Sequence, residues 1–241
     1  MRPLLVIMAL FYGPGLIAQT GTPTDPVANK RPWHLDRDSG GLQIYSRLRS
    51  GSSLKEFKAI ALINAPPRVV HNVLNDVEGY PHFMPYVIEC RILKREGNSI
   101  LAYQRISPKI VADRDYILHI EEKSWSSATG TVYSKRWQAA NEMGPPERKG
   151  VLRVKLCDGS WLLEPEAGDK TRATYSIFTN TGGSLPAFIA NLASSIGISK
   201  IFAAVNHQVK DPKYLSHRDF LEVGTNTKQT PNAEGRPSNA E

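Results

Sequence analysis

An α+β domain, with one curved antiparallel sheet wrapped around a long C-terminal α-helix, is the fold this sequence predicts. Three observations point to it. Six strand-like stretches run from residue 86 to residue 180 with only short breaks between them, as antiparallel meanders do. Two further strand patterns and a short helix precede them, and one long helical pattern follows. Strands and helices segregated in this way make an α+β domain rather than alternating βαβ units. The 241 residues, 41% of them apolar, suffice for one large domain with a core.

Taken in order, residues 1–18, MRPLLVIMALFYGPGLIA, place Arg2 ahead of an apolar run interrupted by Gly13, Pro14 and Gly15. That run is too short and broken to span a bilayer comfortably, so it reads as a secretory signal peptide cleaved after Ala18. The mature chain is then expected to be exported, either periplasmic or secreted; the rival reading is a retained N-terminal anchor. Residues 19–31 form a flexible leader of Thr, Pro, Gly and Asn with nothing to bury, the domain occupies residues 32–215, and residues 216–241 are a polar tail expected to be disordered.

Within the domain, GLQIYSRLRSGSSLKEFKAIALINAPP predicts strands at 42–48 and 55–63 around a Ser50-Gly51-Ser52 turn, with Pro66 and Pro67 stopping the second. Val69, Val70, Val73, Leu74 and Val77 then fall at helical spacing up to Gly79-Tyr80-Pro81. Strands are expected at 86–93, 99–106, 115–122, 129–140, 151–163 and 172–180. The last helix spans 182–210. Leu185, Phe188, Ile189, Leu192 and Ile196 begin its apolar stripe, and Ile198, Ile201, Phe202, Val205 and Val209 continue it. Ser184 can cap its first turn, Pro186 is tolerated there, and Gly182-Gly183 supply a hinge. Its other face carries Asn191, Ser194, Ser195, Ser199 and Asn206, with Lys200 the only full charge between Ser184 and Val209. A helix with so little charge suits a cover over an apolar space, and a half-buried packing helix fits the same stripe.

The formal charge of +7 falls by one, to +6, once Arg2 is removed, and the basic residues are scattered. That excludes the concentrated basic stripe of a nucleic-acid reader and leaves transient contact with anionic membranes. Cys90 alternates with Ile88 and Ile92, and Cys157 with Arg153 and Lys155, so the two thiols are expected to be free and on opposite sides of their sheets. No GxSxG, HExxH, CxxC or glycine-rich phosphate loop is present, and the six histidines lack metal-ligand spacing. We therefore expect no metal, no cofactor and a monomer.

Two polar candidates stand out. In Asp113-Arg114-Asp115-Tyr116, a guanidinium flanked by carboxylates can form a bidentate pair and spare a donor for a ligand hydroxyl or carbonyl; the competing reading is a salt bridge that fixes a loop. Arg136 shares strand parity with Val132, Ser134, Gln138 and Ala140, and would place a charge inside if that face is inward. Trp161, Leu163, Tyr175 and Ile177 on the late strands, with Phe188, Leu192 and Ile196 on the helix, would wall an apolar chamber or form a filled core.

GLQIYSRLRSGSSLKEFKAIALINAPPRVVHNVLND, DRDYIL, DGSWLLEP and YSIFTNTGGSLPAFIANLA together resemble the START family of lipid-transfer domains, within the helix-grip group, over roughly residues 32–213. The resemblance implies a helix-grip fold with an internal hydrophobic cavity, and a non-enzymatic protein that binds, and in some relatives transfers, a lipid or other hydrophobic small molecule. It implies that an Arg-Asp pair at Arg114 and Asp115 shapes the loop near the cavity mouth. It also implies an inward polar residue at Arg136, a place Lys135 could equally take. The alternative is a polyketide cyclase or aromatase-like enzyme of the wider group, with Arg114, Asp115, Tyr116 or His119 supplying acid or base; a third reading is a filled interaction module.

Overall fold

The computed structural model describes residues 31–108, 111–180, 182 and 187–215. The expected signal peptide, residues 19–30 of the leader, the tail at 216–241, and Gly183, Ser184 and Pro186 lie outside the described residues, as do the side chains of Phe188 and Leu192.

The strands are β1 (His34–Ser39), β2 (Leu42–Leu48), β3 (Lys55–Ile63), β4 (Val87–Glu96), β5 (Ser99–Ile106), β6 (Arg114–Ser127), β7 (Gly130–Ala139), β8 (Leu152–Arg153), β9 (Leu156–Glu166) and β10 (Lys170–Asn180). Helix α1 (Pro67–Asn75) and the single turn α2 (Tyr80–Phe83) lie between β3 and β4, and α3 (Ala187–Gln208) follows β10. The strands form one sheet in the order β1-β2-β3-β10-β9-β7-β6-β5-β4. These pairings are antiparallel; β8 alone runs parallel to its partner, β6.

Strands β2, β3 and β5 occupy the expected spans. β1 escapes a pattern reading because HLDRDS is exposed throughout, so its place rests on backbone pairing with β2 rather than on a buried face. The single strand expected at 151–163 is two strands, broken at Val154-Lys155. That break, and register shifts in β4 on either side of Cys90, overturn the parity expected for the cysteines. Ile88 is exposed, while Cys90 and Cys157 are both free, both buried, and part of one core.

One face of the sheet packs on the helices. Val69, Val70, Val73 and Leu74 of α1, Ile198, Phe202 and Val205 of α3, and Val209 just after it are buried in one core with Ile44, Phe57, Ile63 and Leu163. Each such side chain contributes about 1.5–3 kcal/mol by leaving water. Beyond α3, Tyr214 is fully buried; its carbonyl accepts from Asn72 Nδ2 at 3.1 Å and its hydroxyl donates to Asp76 Oδ2 at 2.7 Å, which ties the end of the domain to α1. No helix among the described residues is long and apolar enough to cross a membrane.

Candidate functional site

Between the sheet and α3 lies a cavity of about 590 Å³. Its walls come from β4 to β7, β9, β10, the turn from Met84 to Tyr86, and Ser194 to Ile201 of α3. Ile196 is 44% exposed and Lys200 is also exposed, so this turn of α3 marks the mouth. The stripe expected to continue inward through Ile196 thus has one residue at the rim, with Ile198 buried below it.

Alternation along β6 fixes what faces the cavity. Arg114, Tyr116, Leu118 and Ile120 line it, so the residues between them point away. Asp115, expected at the site beside Arg114, therefore leaves it. Its carboxylate is fully buried on the other side, held bidentately by Arg153, with Nε at 2.7 Å from Oδ1 and Nη2 at 3.2 Å from Oδ2, and accepts from Tyr103 Oη at 3.1 Å. Arg153 also donates to the Pro145 and Pro146 carbonyls, so the pair fixes the segment before β8. His119 likewise turns away and meets Ser99 Oγ at 2.6 Å.

On β7 the inward residues are Lys135 and Trp137, and Arg136 is exposed. The Arg136 expectation thus fails by one residue: the parity containing Val132 and Ala140 is the outer one. Lys135 Nζ donates to Leu74 O at 2.6 Å and Asn75 Oδ1 at 2.8 Å, and lies 3.0 Å from Glu122 Oε1. It thereby caps the Leu74 carbonyl at the C-terminal end of α1, where a cation is favoured. Burial pulls Lys135 below its ordinary value while Glu122 opposes that shift. Burial pushes the Glu122 carboxyl up most strongly, but Lys135 and His71 together outweigh it and hold the group at about 2. Two of its donors are hydrogen-bonded at the end of α1 and Glu122 neutralises its charge, so this cation is committed to the protein.

The floor is aromatic. Trp161 stacks at a tilt on Tyr175 and Phe202, with centroids 4.7 and 5.2 Å away, and Trp137 lies 5.9 Å from Tyr175. Gly159 makes room for it: a Cβ there would stand 2.2 Å from Trp137 Cζ2 and 2.7 Å from the Ser176 carbonyl. Burial pushes the Tyr116 and Tyr175 phenols above their ordinary values, and the Cys157 thiol, also on the wall, up to about 12. Around these aromatic groups the wall is apolar in its chemistry.

Of the residues expected at the site, Arg114, Tyr116, Trp161, Tyr175 and Ile196 come together around this cavity, and Asp115 and Arg136 do not. Phe188 and Leu192 lie outside the described side chains.

Comparison with known proteins is consistent with this geometry. A STAR-related lipid transfer protein fragment from Xanthomonas axonopodis superposes with a TM-score of 0.66 at 28% identity, covering 74% of this chain and 99% of that one. Human STARD10 shares the fold, with a TM-score of 0.65 at 19% identity over 78% of each chain. Mouse phosphatidylcholine transfer protein is 25% identical over 175 residues, 72% of this chain and 81% of the relative. An uncharacterized protein of Pseudomonas aeruginosa is 32% identical over 160 residues, 66% of this chain and 77% of the relative. The family described as polyketide cyclase / dehydrase and lipid transport matches residues 63–201. The chain belongs to this family, as a START domain of the helix-grip superfamily.

The START domain uses several wall residues that sequence reasoning passes over: Tyr80, Met84, Tyr86, Trp137, Cys157 and Lys200. Trp137 had a signal, since Tyr133, Lys135 and Trp137 share one strand parity. Met84 and Tyr86 lie around a turn, where no periodicity says which way a side chain points.

Proposed function

We propose that this START domain holds one lipid or other hydrophobic molecule in the cavity beneath α3 and carries it within an exported compartment. The observation that supports the reading best is the 590 Å³ space itself, walled by Trp137, Trp161, Tyr175, Leu118 and Ile177. A pocket of this size and character selects by shape and volume. Burying ten methylenes would gain about 8 kcal/mol, of the same order as the cost of association, so a long chain or a polar contact must supply the rest. The pattern of residues 1–18 supports export, and the scattered basic surface supports brief visits to anionic membranes.

The cyclase-type alternative needs an acid or base facing the substrate. Asp115 and His119 face the other side of the sheet, and the inward Tyr116 and Tyr175 have phenols raised by burial, which favours binding over proton transfer.

Native mass spectrometry of the protein after exposure to a total lipid extract tests the proposal. A discrete added mass is expected, and Leu118→Trp, which fills the cavity, should lose it while keeping its circular dichroism spectrum. An adduct unchanged in Leu118→Trp would place the ligand elsewhere.

A further inference from the structure

Three cations line the cavity, Arg114, Lys135 and Lys200, and among the described residues no aspartate or glutamate does. Lys135 is neutralised from behind by Glu122. The other two have no carboxylate within ion-pair distance among the described residues. Arg114 is only 5% exposed, yet among the described residues its guanidinium has one hydrogen-bond partner, the carbonyl of Ala112, which engages Nη1. A buried guanidinium carries five donors and demands compensation, and its remaining donors border the ligand space.

Lys200 sits at the same end of the sheet. Its ammonium donates to Tyr86 Oη at 2.6 Å and reaches no other acceptor among the described residues. Tyr86 is held in the left-handed region at φ 65, with its carbonyl accepting from Ser107 N at 2.8 Å. The next residue, Val87, pairs with Ile106, which pairs in turn with Arg114. Arg114 therefore starts two strand spacings, about 10 Å, from the segment on which Lys200 rests.

We propose that Arg114 and Lys200 together form the head-group subsite of the cavity, and that the ligand is a lipid whose polar end carries net negative charge and no cationic substituent. This rests on the lipid-binding reading above and narrows its ligand class. A planar guanidinium suits two oxygens of a phosphate or carboxylate, and the flexible stem of Lys200 lets its ammonium, at the mouth, reach the same group. A zwitterionic head would bring a cation to a rim where no described residue offers it a carboxylate.

The test uses the full chain and vesicles equimolar in phosphatidylglycerol, phosphatidylcholine and diacylglycerol of matched acyl chains, with bound lipid read by native mass spectrometry. Phosphatidylglycerol is expected to exceed each of the others about tenfold or more. Arg114→Gln and Lys200→Gln should each cut the phosphatidylglycerol to diacylglycerol ratio about tenfold, the loss expected for a charge-assisted hydrogen bond, while diacylglycerol uptake persists. Arg114→Lys should restore part of the preference. Lys200 is exposed on α3, so its variant reads the subsite even if Arg114→Gln fails to fold. A preference for phosphatidylcholine or diacylglycerol, or a ratio unmoved in folded variants, overturns the subsite and leaves the lipid-binding reading standing. Loss of the phosphatidylglycerol preference in excess inorganic phosphate would assign the two cations to a free anion and overturn it as well. No adduct of any lipid on the folded protein would overturn the lipid-binding reading itself.

Discussion

Lys135 and Glu122 face each other directly across the β6–β7 ladder, with Nζ 3.0 Å from Oε1 and both side chains about 95% buried. Their network reaches further: Asn75 Nδ2 donates to Glu122 Oε2 at 3.1 Å, and His71 stacks on Tyr133 with centroids 4.3 Å apart. One buried ion pair thus joins the end of α1 to the cavity wall. The arrangement explains how a START domain can place a lysine on an apolar chamber without offering it to the ligand.

Removing one partner should be worse than removing both. Lys135→Met leaves Glu122 buried and unpaired, with an expected cost of about 3–5 kcal/mol in urea unfolding. The double variant Lys135→Met, Glu122→Leu should recover much of that loss, because two apolar groups then fill the space of the pair.

Acid should act through the same carboxyl. Glu122 is lowered from 4.5 to about 2, so its contribution is complete above about pH 4.5 and is lost as pH falls toward 2. The expected result is a stability that declines through that window, measured by urea midpoints at successive pH values. Glu122→Gln should be less stable at neutral pH and flatter between pH 4.5 and 2.

Gly159→Ala tests the aromatic floor. The new methyl cannot coexist with Trp137 in its present place, and the backbone carbonyl of Ser176 closes the other side. Trp137 must move toward the cavity, with an expected overpacking cost of about 1–3 kcal/mol. A shifted tryptophan emission and reduced lipid occupancy in native mass spectrometry are the readouts.

How much of this was legible in the sequence differs from strand to strand. On β6, the opposite facing of Arg114 and Asp115 follows from alternation alone, since neighbours in a strand cannot share a face; reading DRDY as one polar group conceals it. β7 is ambiguous because both parities hold apolar residues: Val132 is buried on the outer face, and Tyr133 packs against the core on the inner one. The break at Val154-Lys155 is set by a long-range partner, Asp115, which draws Arg153 out of the run that continues at Leu156. The long helix and the overall α+β order rest on periodicity and were legible, whereas the pairing of Arg153 with Asp115, 38 residues apart, needed the fold.

That pairing separates stability from binding. Arg153→Ala leaves the fully buried Asp115 carboxylate without its bidentate partner and frees the Pro145 and Pro146 carbonyls. The expected cost is about 3–5 kcal/mol, read by urea unfolding. Neither Arg153 nor Asp115 lines the cavity, so lipid occupancy of the folded fraction should match that of the unaltered protein. Arg114→Gln should show the converse, a small change in midpoint and a large change in which lipid is retained. If Arg153→Ala instead altered lipid selection at constant stability, the Asp115 side of β6 would have to communicate with the chamber, and the division of labour between the two faces would be wrong.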